Sequence, residues 1–205
     1  VVAERLAARP GPPIVLDPVM IAASGDSLLA PDAVEAIRAL LMPLATLVTP
    51  NLPEAERLAG RKTGSLAERA ELARELGRSA NAVLLKGAHA PGSEIVDLLW
   101  DGRELHAFTH PRIPTRADHG TGCTLSAAIA ARLAAGVRLV EACHGGIDWL
   151  EGALRNAEPL SEICRYRYPE NRWRRYDKMK RFPAGLIVIG DAVAMTRTLA
   201  PDPFR

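Results

Sequence analysis

The chain has 205 residues, 48% of them hydrophobic and 24% charged, which is an ordinary composition for a soluble globular protein with one sizeable core. Its formal net charge of +2 argues against a polyanionic partner, so we expect no nucleic-acid ligand, and no apolar run approaches the roughly 20 residues that a membrane span needs. For lack of such a run we expect no membrane partner. Three cysteines are too few for a disulfide framework, so we expect a reducing, cytoplasmic location.

Basic charge is concentrated towards the C-terminus. Residues 161–182 carry eight basic and three acidic side chains, and they also hold all three tyrosines of the chain. Such a shift in composition is typical of a boundary between segments. We therefore predict a first domain at 1–158 and an unrelated, poorly ordered tail at 159–205.

Short apolar runs alternate with helical patterns along the first domain. They predict, in chain order, a helix at 1–9, a strand at 14–17, a helix at 31–41, a strand at 46–49, helices at 53–59 and 65–77, a strand at 82–86, a hairpin of 94–100 with 104–109, and helices at 121–135 and 139–156. One more apolar strand is predicted in the tail, at 186–189. The alternation indicates an α/β fold with a mostly parallel sheet covered on both faces.

A glycine-rich loop, His119-Gly120-Thr121-Gly122-Cys123-Thr124, opens the helix predicted at 121–135. Two glycines let the backbone approach an anion, and the N-terminus of the following helix favours negative charge. The same pattern also fits a tight turn that only packs the helix. Cys123 lies in the first turn, where a thiolate is favoured, although a cysteine there can equally be inert packing.

Polar side chains follow three of the predicted strands. Asp17 ends the first, Asn51 and Glu54 follow the second, and Lys86 ends the third. Because parallel strands place their carboxyl ends at one edge of the sheet, these side chains are predicted to converge on a site near the glycine loop. Oxygen ligands suit Mg²⁺. Alternatively, Asn51 caps a helix with Glu54 as its first-turn acid, and Lys86 is a solvated strand end.

These residues lie within motifs that resemble the hydroxymethylpyrimidine/phosphomethylpyrimidine kinases of thiamine biosynthesis, which have a ribokinase-like three-layer fold. The resemblance covers about residues 1–158, in order. Most ribokinase-like kinases have an aspartate where Cys123 stands, so the cysteine favours the pyrimidine branch. The motifs are Leu16-Asp17-Pro18-Val19-Met20, Ser24-Gly25-Asp26, Leu28-Leu29, Thr49-Pro50-Asn51-Leu52-Pro53-Glu54-Ala55, Leu85-Lys86-Gly87 and the glycine loop continued to Ile129.

The resemblance implies a kinase that uses ATP and Mg²⁺ to phosphorylate hydroxymethylpyrimidine and then its monophosphate. Asn51 and Glu54 would hold the hydration shell of Mg²⁺. Asp17 would belong to the same metal–phosphate network, and Lys86 would lie near the nucleotide phosphates. The resemblance also implies a small-molecule pyrimidine substrate and a homodimer.

The glycine loop would supply the catalytic part of the implied site. Gly120, Thr121 and Gly122 would form an anion hole for the transferring phosphoryl group, and Thr124 would join the nucleotide site. Cys123 would meet the substrate oxygen, as a base or as a positioning group. Val19 would flank the pyrimidine.

The match begins after the first strands, the substrate loop and the pyrimidine-reading glutamine of the family. We therefore expect a ribokinase-like sheet without its N-terminal strands and a chain that is poorly active or inactive. A pyridoxal-type vitamin kinase is an open alternative, because the same loop serves several vitamin kinases.

The tail resembles a fragment of FAD-dependent monooxygenases, in which the aspartate of a Gly190-Asp191 pair touches the ribityl chain of FAD. The Gly-x-Gly-x-x-Gly motif of such enzymes is missing from the sequence, so we favour Asp191 as a simple strand end. We expect that the chain arises from joined or misassembled reading frames. An inactive fusion with a flavoprotein remnant is the alternative. The basic, aromatic segment 161–182 could grip a single-stranded nucleic acid, but a solvated helix or linker is the preferred interpretation.

Overall fold

The structure is a computed structural model that describes residues 1–8, 11–20, 28–114 and 120–155, together with the backbone of 187–189. Its helices are α1 (Val2–Ala7), α2 (Pro31–Ala36), α3 (Leu52–Ala59), α4 (Leu66–Leu76), α5 (Thr121–Ala134) and α6 (Leu139–Arg155). Its strands are β1 (Ile14–Leu16), β2 (Leu47–Val48), β3 (Val83–Leu85), β4 (Glu94–Trp100), β5 (Leu105–Pro111) and β6 (Ile187–Ile189). Among the described helices, none is long and apolar enough to cross a membrane.

The strands form one sheet in the order β5-β4-β3-β2-β1-β6. The pairs β6–β1, β1–β2 and β2–β3 are parallel, whereas β3–β4 and the β4–β5 hairpin are antiparallel. The predicted α/β class is confirmed, with a sheet that is mixed because the hairpin extends its parallel part. The strand predicted at 186–189 is present as β6, and its backbone pairs with β1 in the register Ile14↔Ile187.

The sheet separates two apolar clusters, because successive residues of a strand point to opposite faces. Leu16 and Val48 face the cluster that contains the core residues of α3 and α4. Their neighbours Val15 and Leu47 face the cluster built from α5 and α6. All four side chains are 0–2% exposed. Helices therefore cover both faces, as the sequence predicts.

Local chemistry fixes several element ends. Ser65 and Glu68 form the predicted capping box of α4, in which the Ser65 hydroxyl accepts from Glu68 N and the Glu68 carboxylate accepts from Ser65 N. The helix predicted at 31–41 ends at the predicted residue. Its last turn, Ile37–Leu41, is nevertheless π-type, with Met42 N donating to Ile37 O. Pro43 has no N–H and cannot continue regular helical bonding.

Candidate functional site

A buried ion pair joins the ends of β1 and β3. Lys86 Nζ lies 2.8 Å from Asp17 Oδ1, and the two residues are only 8% and 3% exposed. Lys86 N also donates to the Pro50 carbonyl at 2.9 Å, and Lys86 bridges in parallel to Asn51. The structure therefore brings Asp17, Asn51 and Lys86 together at the carboxyl edge of the sheet, as the position of their strands predicts.

Asn51 and Glu54 form a complete capping box at the start of α3. Glu54 N donates to Asn51 Oδ1 at 2.9 Å, and Asn51 N donates to Glu54 Oε2 at 2.8 Å. The helix-cap interpretation of these two residues is thus correct as far as it goes. A carboxylate has two oxygens with several lone pairs, so capping leaves Glu54 able to face a cation as well.

Glu54 is buried, with 3% of its surface exposed, and it lies within electrostatic reach of Lys86 and Asp17. Burial raises the pKa of the Glu54 carboxyl, against the opposing effects of Lys86 and of the hydrogen bond from Asn51. A buried carboxylate whose charge is only partly compensated is stabilised by a nearby cation. The environment of Glu54 therefore fits a site that gains a positive ion when it binds its ligand.

Helix α5 begins directly against the Asp17–Lys86 pair. Gly120 adopts φ +77° before the first turn, a left-handed conformation that favours glycine. A Cβ placed on Gly122 would lie 3.1 Å from Lys86 Nζ and 3.8 Å from Asp17 Oδ2. The helix then runs for 14 residues, which gives its N-terminus a well-developed positive dipole end. The predicted anion-binding turn and the predicted phosphate lysine are thus neighbours in the structure.

The remaining predicted residues lie around this point. Thr124 N donates to Gly120 O at 2.9 Å and closes the first turn, while Thr121 and Cys123 lie half-buried within it. Val19 is half-buried next to the pair, and its N–H donates to Asp17 O at 3.0 Å. Cys143, unlike Cys123, lies outside this site. Burial raises the pKa of the Cys143 thiol to about 12, which disfavours the reactive thiolate.

Two buried hydroxyl groups contact Asp17 and Gly122, and the sequence analysis did not identify either of them. Thr49 Oγ1 lies 3.2 Å from Asp17 Oδ1 and 2.9 Å from Ser126 Oγ. Ser126 Oγ in turn lies 2.9 Å from Gly122 O. A polar residue on the apolar face of α5, between Leu125 and Ile129, is the signal that could have indicated Ser126.

A second set of missed residues holds the loop that follows Lys86. Gly87 N donates to Asp97 Oδ1 at 2.7 Å, and His110 Nε2 lies 3.2 Å from the other Asp97 oxygen. Arg112 donates at 2.6–2.9 Å to three carbonyls of this loop, those of Ala88, Ala90 and Gly92. These contacts join the hairpin to the strand end that carries Lys86.

Within the described part of the chain, no three His, Cys, Asp or Glu side chains are grouped so that they could hold a metal ion. The oxygen donors of Asn51 and Glu54 instead fit a hydrated Mg²⁺, which keeps several of its waters. His119, the Ser24-Gly25-Asp26 motif, Asp191 and the basic segment 161–182 lie outside the described residues.

The chain is similar to known proteins of one family. Residues 1–165 match the phosphomethylpyrimidine kinase family. The chain is 50% identical over 172 residues to a hydroxymethylpyrimidine/phosphomethylpyrimidine kinase of Rhizobium meliloti (strain 1021), covering 83% of this chain and 64% of that relative.

Two solved structures are similar to the fold. A pyridoxal kinase of Bacillus subtilis, solved as an ADP complex, superposes with a TM-score of 0.70 at 30% identity and covers 79% of this chain and 60% of the other. The phosphomethylpyrimidine kinase of Clostridium difficile 630 gives a TM-score of 0.64 at 33% identity, with coverages of 74% and 62%.

The fold is that of the ribokinase-like vitamin kinases, as the resemblance of the motifs implied. The match over residues 1–165 makes the assignment more specific: the chain belongs to the phosphomethylpyrimidine kinase family. The chain spans less than two thirds of the length of the Rhizobium meliloti relative.

Proposed function

We propose that this chain acts in the ATP-dependent phosphorylation of hydroxymethylpyrimidine and of its monophosphate, in thiamine biosynthesis. The observation that carries the proposal is the position of Gly122, whose added Cβ would lie 3.1 Å from Lys86 Nζ. A helix N-terminus and a lysine that face one point are suited to an anion, and phosphoryl transfer depends mainly on positioning and charge stabilisation. The Rhizobium meliloti relative, a hydroxymethylpyrimidine/phosphomethylpyrimidine kinase, supports this choice of substrate.

The nucleotide phosphates would bind between Lys86 and the first turn of α5. In the free protein the Lys86 ammonium is paired with Asp17 at 2.8 Å, which keeps its charge in place inside a buried site. Backbone N–H groups of Gly120–Gly122 would then serve as the anion hole for the transferring group. The ADP complex of the similar pyridoxal kinase supports the use of an adenine nucleotide by this fold.

Asn51 and Glu54 would hold Mg²⁺ through its water ligands, with Asp17 at the edge of the same network. The ion, when bound, neutralises part of the charge of the nucleotide phosphates. The task of the protein residues is to orient the hydration shell, and the capping box fixes both side chains for it. The raised pKa of the buried Glu54 carboxyl supports a site that becomes more stable when a cation arrives.

Cys123 would meet the hydroxymethyl or phosphate oxygen of the pyrimidine, with Val19 beside the ring and Thr124 on the nucleotide side. The thiol lies in the first turn of α5, so it shares the positive helix end with the anion hole. It would act either as the base that takes the proton of the hydroxyl or as a group that positions that oxygen. A cytoplasmic location and a homodimer complete the proposal.

A pyridoxal-type kinase is the second candidate, and the similarity to a pyridoxal kinase structure at a TM-score of 0.70 favours it. Both activities need the same phosphate machinery, so the acceptor decides between them.

The test is an assay with ATP that carries a radioactive γ-phosphate, offered with Mg²⁺ and either hydroxymethylpyrimidine or pyridoxal. We expect label in the pyrimidine product, and only weak labelling of pyridoxal. The rate relative to another family member measures whether this chain is poorly active or inactive, as the sequence led us to expect. Preferred labelling of pyridoxal would replace the first candidate by the second. Labelling of neither acceptor would contradict kinase activity of this chain.

A further inference from the structure

Thr49 and Ser126 form a fully buried hydroxyl pair behind the proposed phosphate site. Both residues are 0% exposed, and their side-chain oxygens lie 2.9 Å apart although the residues are 77 positions apart in sequence. Thr49 follows β2, and Ser126 lies in the second turn of α5. The pair is therefore a direct polar contact between the sheet and the helix that opens with the glycine loop.

Each hydroxyl also contacts one half of the site. Thr49 Oγ1 lies 3.2 Å from Asp17 Oδ1, the same oxygen that pairs with Lys86 at 2.8 Å. Ser126 Oγ lies 2.9 Å from the carbonyl oxygen of Gly122. A continuous set of polar contacts thus runs from Lys86 through Asp17 and the hydroxyl pair to the turn at Gly122.

A hydroxyl has a single proton, so the pair can donate in one direction at a time. If Ser126 donates to Thr49, the Thr49 hydroxyl can donate to Asp17 Oδ1 at 3.2 Å or to the Leu16 carbonyl at 3.4 Å. If Thr49 donates to Ser126, Ser126 donates to the Gly122 carbonyl. The ionised carboxylate is the stronger acceptor, which favours donation towards Asp17. In either direction, the Thr49–Ser126 hydrogen bond joins the second turn of α5 to the residue that follows β2, one helical turn from Gly122.

The surroundings of the pair indicate that this contact fixes geometry and does not only add stability. Ser126 lies beside Leu125 and Ile129 on the face of α5 that packs on the sheet, where its neighbours are buried apolar side chains. Buried polar contacts often add less stability than apolar packing, but they fix geometry. The geometry is tight, because a Cβ on Gly122 would lie 3.1 Å from Lys86 Nζ, closer than ordinary van der Waals contact.

We propose that Thr49 and Ser126 are positioning residues for phosphoryl transfer, which set the anion-binding turn Gly120–Cys123 against Lys86. The inference rests on the proposed function, because it takes Lys86 and this turn to be the phosphate site. It assigns a role to two residues that contact neither the nucleotide nor the acceptor and that act through Asp17 and Gly122.

The test uses Thr49→Val and Ser126→Ala in the full chain. Each single variant leaves the remaining hydroxyl one of its other partners, so both variants are expected to fold. Thr49→Ser keeps the hydroxyl and serves as the rescue. Thr46→Val is the matched control. The Thr46 hydroxyl accepts from Ile14 N at 3.0 Å and so joins the starts of β1 and β2, at the end of these strands that lies away from the site.

Two measurements are made on every variant. Calorimetry with Mg-ATP should show binding about tenfold weaker in Thr49→Val and in Ser126→Ala, and about equally weak in the double variant, because the two residues act as one unit. Thr49→Ser should bind within about twofold of the wild type. Hydrogen–deuterium exchange should become about tenfold faster for amides in the first turns of α5, and only there.

The outcomes separate the inference from the proposed function. Wild-type affinity in both variants, or exchange that increases evenly along the chain as in Thr46→Val, would show that the pair only adds stability and would overturn the inference. If the wild-type chain binds no Mg-ATP, the proposed function fails. The exchange data then still decide whether the hydroxyl pair positions the turn.

Discussion

Exchanging Glu54 for glutamine separates its two roles, because glutamine keeps the shape and the capping oxygen but removes the charge. Helix α4 offers a matched control, since Glu68 holds the same position in a second capping box, one that contains no predicted site residue. Glu54 is buried and its carboxyl pKa is raised, whereas Glu68 is exposed and its pKa is lowered by the hydrogen bonds of Ser65 and Gly64. The two exchanges should therefore change the free energy of unfolding differently.

A raised pKa means that the folded state disfavours the charged form, so at neutral pH Glu54→Gln should leave the free energy of unfolding unchanged or increase it. Glu68→Gln should lower it. If Glu54 orients the hydration shell of Mg²⁺, its loss removes about one hydrogen bond to a charged group, about 1.5–3 kcal/mol, and weakens Mg-ATP binding by roughly 10–150-fold. Glu68→Gln should bind as the wild type does.

Urea unfolding gives the stability of each variant, and calorimetry gives the Mg-ATP affinity. Equal affinities in Glu54→Gln and the wild type would refute the metal role and would leave Glu54 as a helix cap alone. A loss of stability in Glu54→Gln as large as that in Glu68→Gln would refute the argument from burial.

Two further predictions concern the loop behind Lys86. A Cβ on Gly87 would lie 2.1 Å from the Val96 carbonyl oxygen, so Gly87→Ala should cost about 2 kcal/mol or more in urea unfolding and should also weaken Mg-ATP binding; a variant as stable as the wild type would contradict this. The hydrogen bond to Asp97 raises the pKa of His110 against its burial, so this pair stabilises the fold below about pH 6.5 and ceases to do so as the pH rises through the higher folded-state pKa. The free energy of unfolding should therefore fall more between pH 6 and 8.5 in the wild type than in His110→Gln, and equal changes would contradict the assignment.

The sequence predicts the elements of this fold well because their signals are local. The capping residues Asn51 and Ser65 lie within three positions of their partners, and the apolar runs of β1–β3 are short and bounded by prolines or polar residues. The convergence of Asp17 and Lys86 is also predictable, since parallel strands bring their carboxyl ends to one edge.

What the sequence does not show is pairing between distant polar residues. Thr49 and Ser126 are 77 positions apart, and each one alone is an ordinary residue of a strand end or a helix. Asp97 likewise has no distinguishing signal in the sequence of its hairpin strand, and only the fold brings its carboxylate to Gly87 N.

The central claim is that the phosphates of ATP bind at Lys86, and the most direct test is calorimetry of Mg-ATP with Lys86→Met. Lys62→Met is the matched control, because Lys62 also pairs with a carboxylate at 2.8 Å, that of Glu56, but lies on the surface. Should Lys86→Met unfold because Asp17 loses its partner, Asp17→Asn/Lys86→Met removes the buried pair as a whole. We predict binding at least about tenfold weaker without the Lys86 charge and unchanged in Lys62→Met. Equal affinity with and without Lys86 would contradict the account.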